Sequence, residues 1–162
     1  MQRVPFTCER KGDVFVVGGS IDETAQLVPL LRWANARVLV LDLGGVKFIN
    51  SLGVREWVRL QAAAREQKVL LELVRVAEVL IHQLNIVPAA RSASAVESFF
   101  ATYLCDHCGH EQDELIDVAA NQTALAAMKA PAATCKVCKK PAALAEAPEL
   151  YLSFLAGSSP LR

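Results

Sequence analysis

The sequence predicts an α/β domain followed by a small cysteine-stapled module. Three observations carry this. Short β-branched and apolar runs alternate with segments whose apolar residues recur every three or four positions. Hydrophobic residues make up 53% of the 162, enough to bury a core. Past residue 102 bulky apolar residues thin out, and four of the five cysteines stand there in two tight pairs.

The first strand is Val14–Val17, within "DVFVVGGSID", and Gly18-Gly19 are expected to end it. Asp22 is placed to cap the next segment, where Leu27, Leu30, Leu31 and Ala34 recur at helical spacing and Pro29 restricts the first turn or kinks the helix. Residues Arg37–Leu43, "RVLVLDL", are apolar on both alternations, as in a central strand covered on both faces, with Gly44-Gly45 ending it. From Ser51, the residues Gly53, Trp57, Leu60 and Ala64 define one helical face. Lys68–Val74 reads as a strand, and Val76, Leu80 and Leu84 mark a short helix that carries His82. "IVP" at Ile86–Pro88 is expected as a last short strand, and Ser94–Leu104 as a closing helix. Crossovers of this length allow parallel pairing. Residues 1–102 form the α/β domain on this reading, and 103–162 the module.

In the module, Cys105 and Cys108 are two residues apart, as are Cys135 and Cys138. Two such pairs offer four thiolates to one tetrahedral Zn²⁺, and Gly109 suits the tight turn after the first pair. A four-cysteine site leaves no position for an activated water, so the expected metal is structural. His107 and His110 are substitute ligands or outer donors, and Cys8 a buried strand residue or a bystander. The module resembles a zinc ribbon: knuckle, strand "ELIDV", an Ala-rich connection, knuckle, strand "ELYLSFL".

Seventeen basic and seventeen acidic residues cancel, which argues against a general nucleic-acid or anionic-membrane surface. The first residues lack the apolar segment of a signal peptide, no run approaches the ~20 residues of a membrane span, and paired cysteines suit a reducing compartment. The expected protein is cytoplasmic, with its mature chain starting near Met1.

The segments "DVFVVGGSID", "RVLVLDLGGVKFINSLGVREWV" and "KVLLELV" resemble a STAS domain, the sulphate-transporter and anti-sigma-factor-antagonist module, over about residues 4–100. The specific parts are the G-x-ID turn at Gly19–Asp22 and the loop "VKFINSLGV". The resemblance implies a small mixed β-sheet with helices packed against it, and no catalysis. It places Ser51 at the position that is phosphorylated in bacterial anti-sigma antagonists, and implies partner contacts from Asp22, Asn50, Leu52, Gly53 and Arg55. Its partners would be an anti-sigma factor or serine kinase, with a homodimer or larger signalling assembly compatible with that class. Asn50 stands where the family carries aspartate, and Leu52 where it carries a second hydroxyl residue.

Read from the residues alone, Ser51 is a phosphate acceptor at a helix start or a plain cap. A hydrolase nucleophile would need G-x-S-x-G, which "INSLG" lacks. Trp57 is expected in the core, Trp33 in the core or on an interface, and Arg55 and Arg59 on a docking rim or a solvated face. A constitutive scaffold without a phospho-switch is an alternative, and two other readings use the module: a nucleic-acid or small-ligand binder with Lys136, Lys139 and Lys140 around the second knuckle, and a thiol oxidoreductase using the cysteine pairs.

Overall fold

The computed structural model describes residues 2–157; Met1 and the last five residues of the expected module, 158–162, lie outside them. The fold is mixed α/β with two sheets. Strands β1 (Thr7–Lys11) and β2 (Val14–Ile21) form an antiparallel hairpin. Three parallel strands then add in sequence: β3 (Val38–Ile49), β4 (Leu70–Val74) and β5 (Ser94–Val96). Helix α1 (Ser51–Gln67) is the crossover from β3 to β4, and α2 (Glu78–Ile86) lies in the crossover from β4 to β5. This is a mixed sheet of five strands with one antiparallel edge.

Both expected glycine breaks are corrected. The second strand runs through Gly18-Gly19 to Ile21, and the third through Gly44-Gly45 to Ile49. Gly18 pairs with Gly45 at a register shift, where a Cβ on Gly45 would stand 3.2 Å from the Gly18 Cα. The glycines let two strands approach at an irregularity and do not stop either one. The segment before β3 also differs from expectation. Asp22 caps no helix, because the helical turn starts only at Val28 and is a short 3₁₀ turn, Val28–Trp33, with Pro29 in its first turn. "IVP" is no strand either: Ile86 ends α2, and Pro88 opens a 3₁₀ turn through Arg91, using its fixed φ at a position that needs no N–H.

The expected helix Ser94–Leu104 is instead two strands, β5 and β6 (Ser98–Leu104). Phe99, Ala101 and Tyr103 are buried while Phe100, Thr102 and Leu104 are half-buried, a period of two. Strand β6 opens the second, antiparallel sheet, ordered β7-β6-β9-β8, with β7 (Glu111–Asp117), β8 (Ala133–Thr134) and β9 (Pro141–Leu144). Within the Ala-rich connection only Gln122–Ala126 is helical, as α3. The expected strand "ELYLSFL" is helical, α4 (Pro148–Tyr151) running into a 3₁₀ turn, because Tyr151, Leu152 and Phe154 turn inward together to be buried.

The division expected after residue 102 falls inside β6. Phe99 packs edge-on against Phe154 at 5.1 Å and lies 6.3 Å from Tyr151, and Asn85 of α2 donates to the Tyr151 carbonyl at 2.9 Å. One continuous set of buried residues serves both sheets.

On α1, Gly53, Trp57, Leu60 and Ala64 are buried as expected, joined by Gln61. Trp57 Nε1 donates to the Ala90 carbonyl at 2.7 Å, and the Gln61 amide takes the Ala93 N–H and gives to Ser94 Oγ. These bonds satisfy polar groups that burial would otherwise penalise. Gly53 lies against the end of β2, where an added Cβ would stand 1.9 Å from the Ile21 carbonyl oxygen. Gly53→Ala is therefore expected to destabilise the protein by about 2–3 kcal/mol through overpacking, read as a lower urea midpoint at unchanged m.

Candidate metal centre and loop surface

The two cysteine pairs are superimposable in their bonding. The Cys105 N–H donates to the His110 carbonyl and the Gly109 N–H to the Cys105 carbonyl; Cys135 N–H donates to Lys140 and Lys139 N–H to Cys135 in the same way. The residue after each second cysteine is left-handed, Gly109 at φ 73° and Lys139 at φ 61°. Each knuckle so formed turns its two thiols to one side.

The four sulfur atoms all lie within 4.8 Å of one another, with Cys105 Sγ 3.4 Å from Cys138 Sγ and Cys108 Sγ 3.6 Å from Cys135 Sγ. Those separations are far beyond a sulfur–sulfur bond of about 2.05 Å, and the cysteines are free thiols. The backbone N–H of Cys138, with that of Val137, draws the Cys135 thiol down to about 6. Against the lowering pull of the His110 backbone, burial and the three neighbouring sulfurs push Cys108 up to about 12. Four sulfurs this close cannot all ionise unless a cation shares the charge. The donor set fits a metal ion. His107 is exposed, and His110 contributes its carbonyl to the first knuckle.

The sequence reading missed Gln112, which braces the second knuckle from β7. Its buried amide donates to the Thr134 carbonyl at 3.0 Å and accepts from the Lys136 N–H at 2.8 Å, while Glu114 pairs with Lys136 Nζ at 3.2 Å. A polar residue in an alternating strand carries no sign that it will face inward. Lys136 is thus engaged within the module, and Lys139 Nζ bonds the Lys136 carbonyl.

At the C-terminal ends of β2 and β3 the Asp22 turn and the start of α1 come together. Asn50 is the helix cap: its Oδ1 accepts from the Gly53 N–H at 2.8 Å, its own N–H donates to Ile21, and its Nδ2 donates to Glu23 at 3.0 Å. Ser51 is the first residue of α1 and exposed. Capping falls to Asn50, so the serine hydroxyl is left out of the helix's own hydrogen bonding. Asp22 closes its own turn, accepting from the Thr24 hydroxyl at 2.6 Å and N–H at 2.9 Å, and these bonds lower its carboxyl from the ordinary 3.8. That contribution is present above the ordinary value and fades as pH falls below it, so the turn is intact at neutral pH.

Asp22 and Gly53 are buried and shape this end of the molecule from beneath, whereas Leu52 is 45% exposed and Arg55 exposed. Phe48, at 41% exposure, lies under the Arg3 guanidinium, which also pairs with Glu23 at 3.8 Å. The sequence reading did not single out Phe48 or Glu23. Glu56, between Arg55 and Trp57, accepts from the Leu27 N–H and pairs with the exposed Arg59. Trp33 is 45% exposed between the Arg10 and Arg32 guanidinium groups, 5.0 and 5.1 Å from its ring. Cys8 is exposed on the edge strand β1. Among the described residues no helix is long and apolar enough to cross a membrane.

No protein-family model matches the chain, and no curated protein matches it.

Cys135→Ser is expected to abolish stoichiometric metal binding and to lower Tm by on the order of 10 °C. Metal analysis and calorimetry check this, and prolonged chelation of the unaltered protein is expected to reach the same state.

Proposed function

We propose that this chain is a non-catalytic regulatory protein of the anti-sigma-factor-antagonist type, which docks a partner protein through the Ser51 loop and the first turns of α1. The observation that carries the reading is the joint surface at the ends of β2 and β3. There Asn50 ties the Asp22–Glu23 turn to the helix start, and Phe48, Ser51, Leu52 and Arg55 face outward around that bond. Those two stretches are the ones that resemble the STAS motifs.

Two exposed large apolar side chains beside charged Arg3, Glu23 and Arg55 supply an apolar anchor with a polar rim, the usual make-up of a protein interface. The partner class the resemblance favours is an anti-sigma factor or serine kinase in the cytoplasm. A phosphate on Ser51 would meet the positive dipole end of α1. Phosphorylation then leaves the fold intact while reversing the charge of the docking face.

The cysteine centre takes a structural role in this reading, and the ion we assign to it is Zn²⁺. A tetrahedron with zinc–sulfur bonds of about 2.3 Å has edges of about 3.8 Å, close to two of the sulfur separations, 3.4 and 3.6 Å. With four sulfur ligands the ion would offer no free position and activate nothing.

Co-purification with the partner tests the docking surface. The unaltered protein is expected to retain a serine-kinase-type partner, Leu52→Asp to lose it, and Ser51→Glu to bind at least about tenfold more weakly, the equivalent of ~1.4 kcal/mol. Equal retention by all three proteins would sink the proposal, and phosphopeptide mapping of the co-purified chain reports whether Ser51 carries phosphate.

A further inference from the structure

A second group of metal-type donors lies away from the cysteines. Glu78 and His82 stand one turn apart on α2, and Glu146 reaches them from the link between β9 and α4. His82 Nε2 is 2.6 Å from Glu146 Oε1 and 3.8 Å from Glu78 Oε1, and the three donor atoms lie within 4.8 Å of one another. An ion about 2.1 Å from such nitrogen and oxygen donors holds pairs of them about 3.0–3.4 Å apart, so this spacing needs only side-chain adjustment to close on a metal.

The surroundings are those of an orienting shell. The Thr102 hydroxyl donates to the second Glu78 oxygen at 2.7 Å, which orients that carboxylate, and lies 2.9 Å from Asp113 Oδ1. Tyr151 packs edge-on to the His82 ring at 5.9 Å and sets its plane. A small cavity of ≈ 10 Å³ adjoins the two carboxylates, lined by Glu78, Thr102, Glu146 and Tyr151. The Ala145 N–H, bonded to the Thr102 carbonyl, holds the link that carries Glu146.

We propose that Glu78, His82 and Glu146 form a second metal site, which binds a divalent first-row transition ion through one imidazole nitrogen and two carboxylates. Imidazole with carboxylates suits zinc, manganese or cobalt. Binding displaces the proton shared by His82 Nε2 and Glu146, which leaves to solvent. Three protein ligands leave at least one coordination position to water or to an incoming group, in contrast to the saturated cysteine site. The side chains are 37–44% exposed, so that position is reachable. The ion also joins α2, which packs on the first sheet, to the segment leaving the second.

The test uses the full chain with its cysteine site already filled with zinc. Addition of Co²⁺ is expected to load one further equivalent, with d–d absorption and no sulfur-to-cobalt charge-transfer band. His82→Ala is expected to abolish this second equivalent while keeping the first, and Thr102→Val to weaken it about tenfold. Glu146→Gln, on an exposed link, gives a second readout should His82→Ala fail to retain its zinc and its circular-dichroism spectrum. A wild-type protein that takes no second ion would overturn the proposal, leaving an ion pair only. A second equivalent unaffected by His82→Ala and Glu146→Gln would overturn it as adventitious binding.

Discussion

The loop end of this molecule depends on how closely helix α1 approaches the end of strand β2. Only hydrogen at Gly53 allows the first turn of α1 to rest on the Ile21 carbonyl. From that contact the rest follows in order. Asn50 reaches Ile21 with its N–H and caps the helix with its side chain, Glu23 comes within hydrogen-bond distance of Asn50, and the next residues, Ser51 and Leu52, have nowhere to go but outward. The far part of the same helix is clamped just as firmly, by Trp57 to Ala90 and by Gln61 to Ala93 and Ser94. A helix tied at its start to the end of β2 and along its middle to the Ala90–Ser94 segment is a rigid platform, the kind of support a recognition loop requires.

Strand β6 plays the corresponding part for the second sheet. It follows β5 after a single residue, pairs with β7 and β9, and sends Phe99, Ala101 and Tyr103 into the shared interior. The C-terminal turn closes over Phe99 with Tyr151 and Phe154, and the Tyr151 hydroxyl returns to the Phe100 carbonyl at 2.6 Å. The cysteine knuckles therefore sit on a sheet whose base is packed into the body of the protein. Short strands such as β8, with two residues, contribute little pairing energy of their own, and an ion held by the four cysteines would compensate for this. Gln112 and Glu114 add bonds between the knuckle and the long strand β7.

Much of the candidate chemistry was legible in the sequence because it depends on local spacing. Two residues between cysteines, repeated, specify knuckles whatever the rest of the chain does, and α1 was readable from Gly53, Trp57, Leu60 and Ala64 because a long amphipathic helix carries its own period. The docking loop was readable only as a resemblance. Which residue caps, and which merely follows the cap, was a choice between neighbours that the chain alone left open; the backbone's turn at Asn50 made it.

What the sequence determined by itself is the strands β2, β3 and β4, the helix α1 with its apolar face and the four-cysteine donor set, all properties of residues close together in the chain; the edge strand β1 was not read, and the helix expected before β3 is a 3₁₀ turn. Tertiary structure decided the remainder. Paired glycines read as breaks until Gly18 and Gly45 are seen to face each other across two strands. The run from Ser94 to Leu104 became strand because β4, β7 and β9 offered it partners and one interior absorbed alternate residues, whereas "ELYLSFL" became helical to bury Tyr151, Leu152 and Phe154 together. Short apolar segments hold no decisive period of their own; the surface they must cover chooses their conformation.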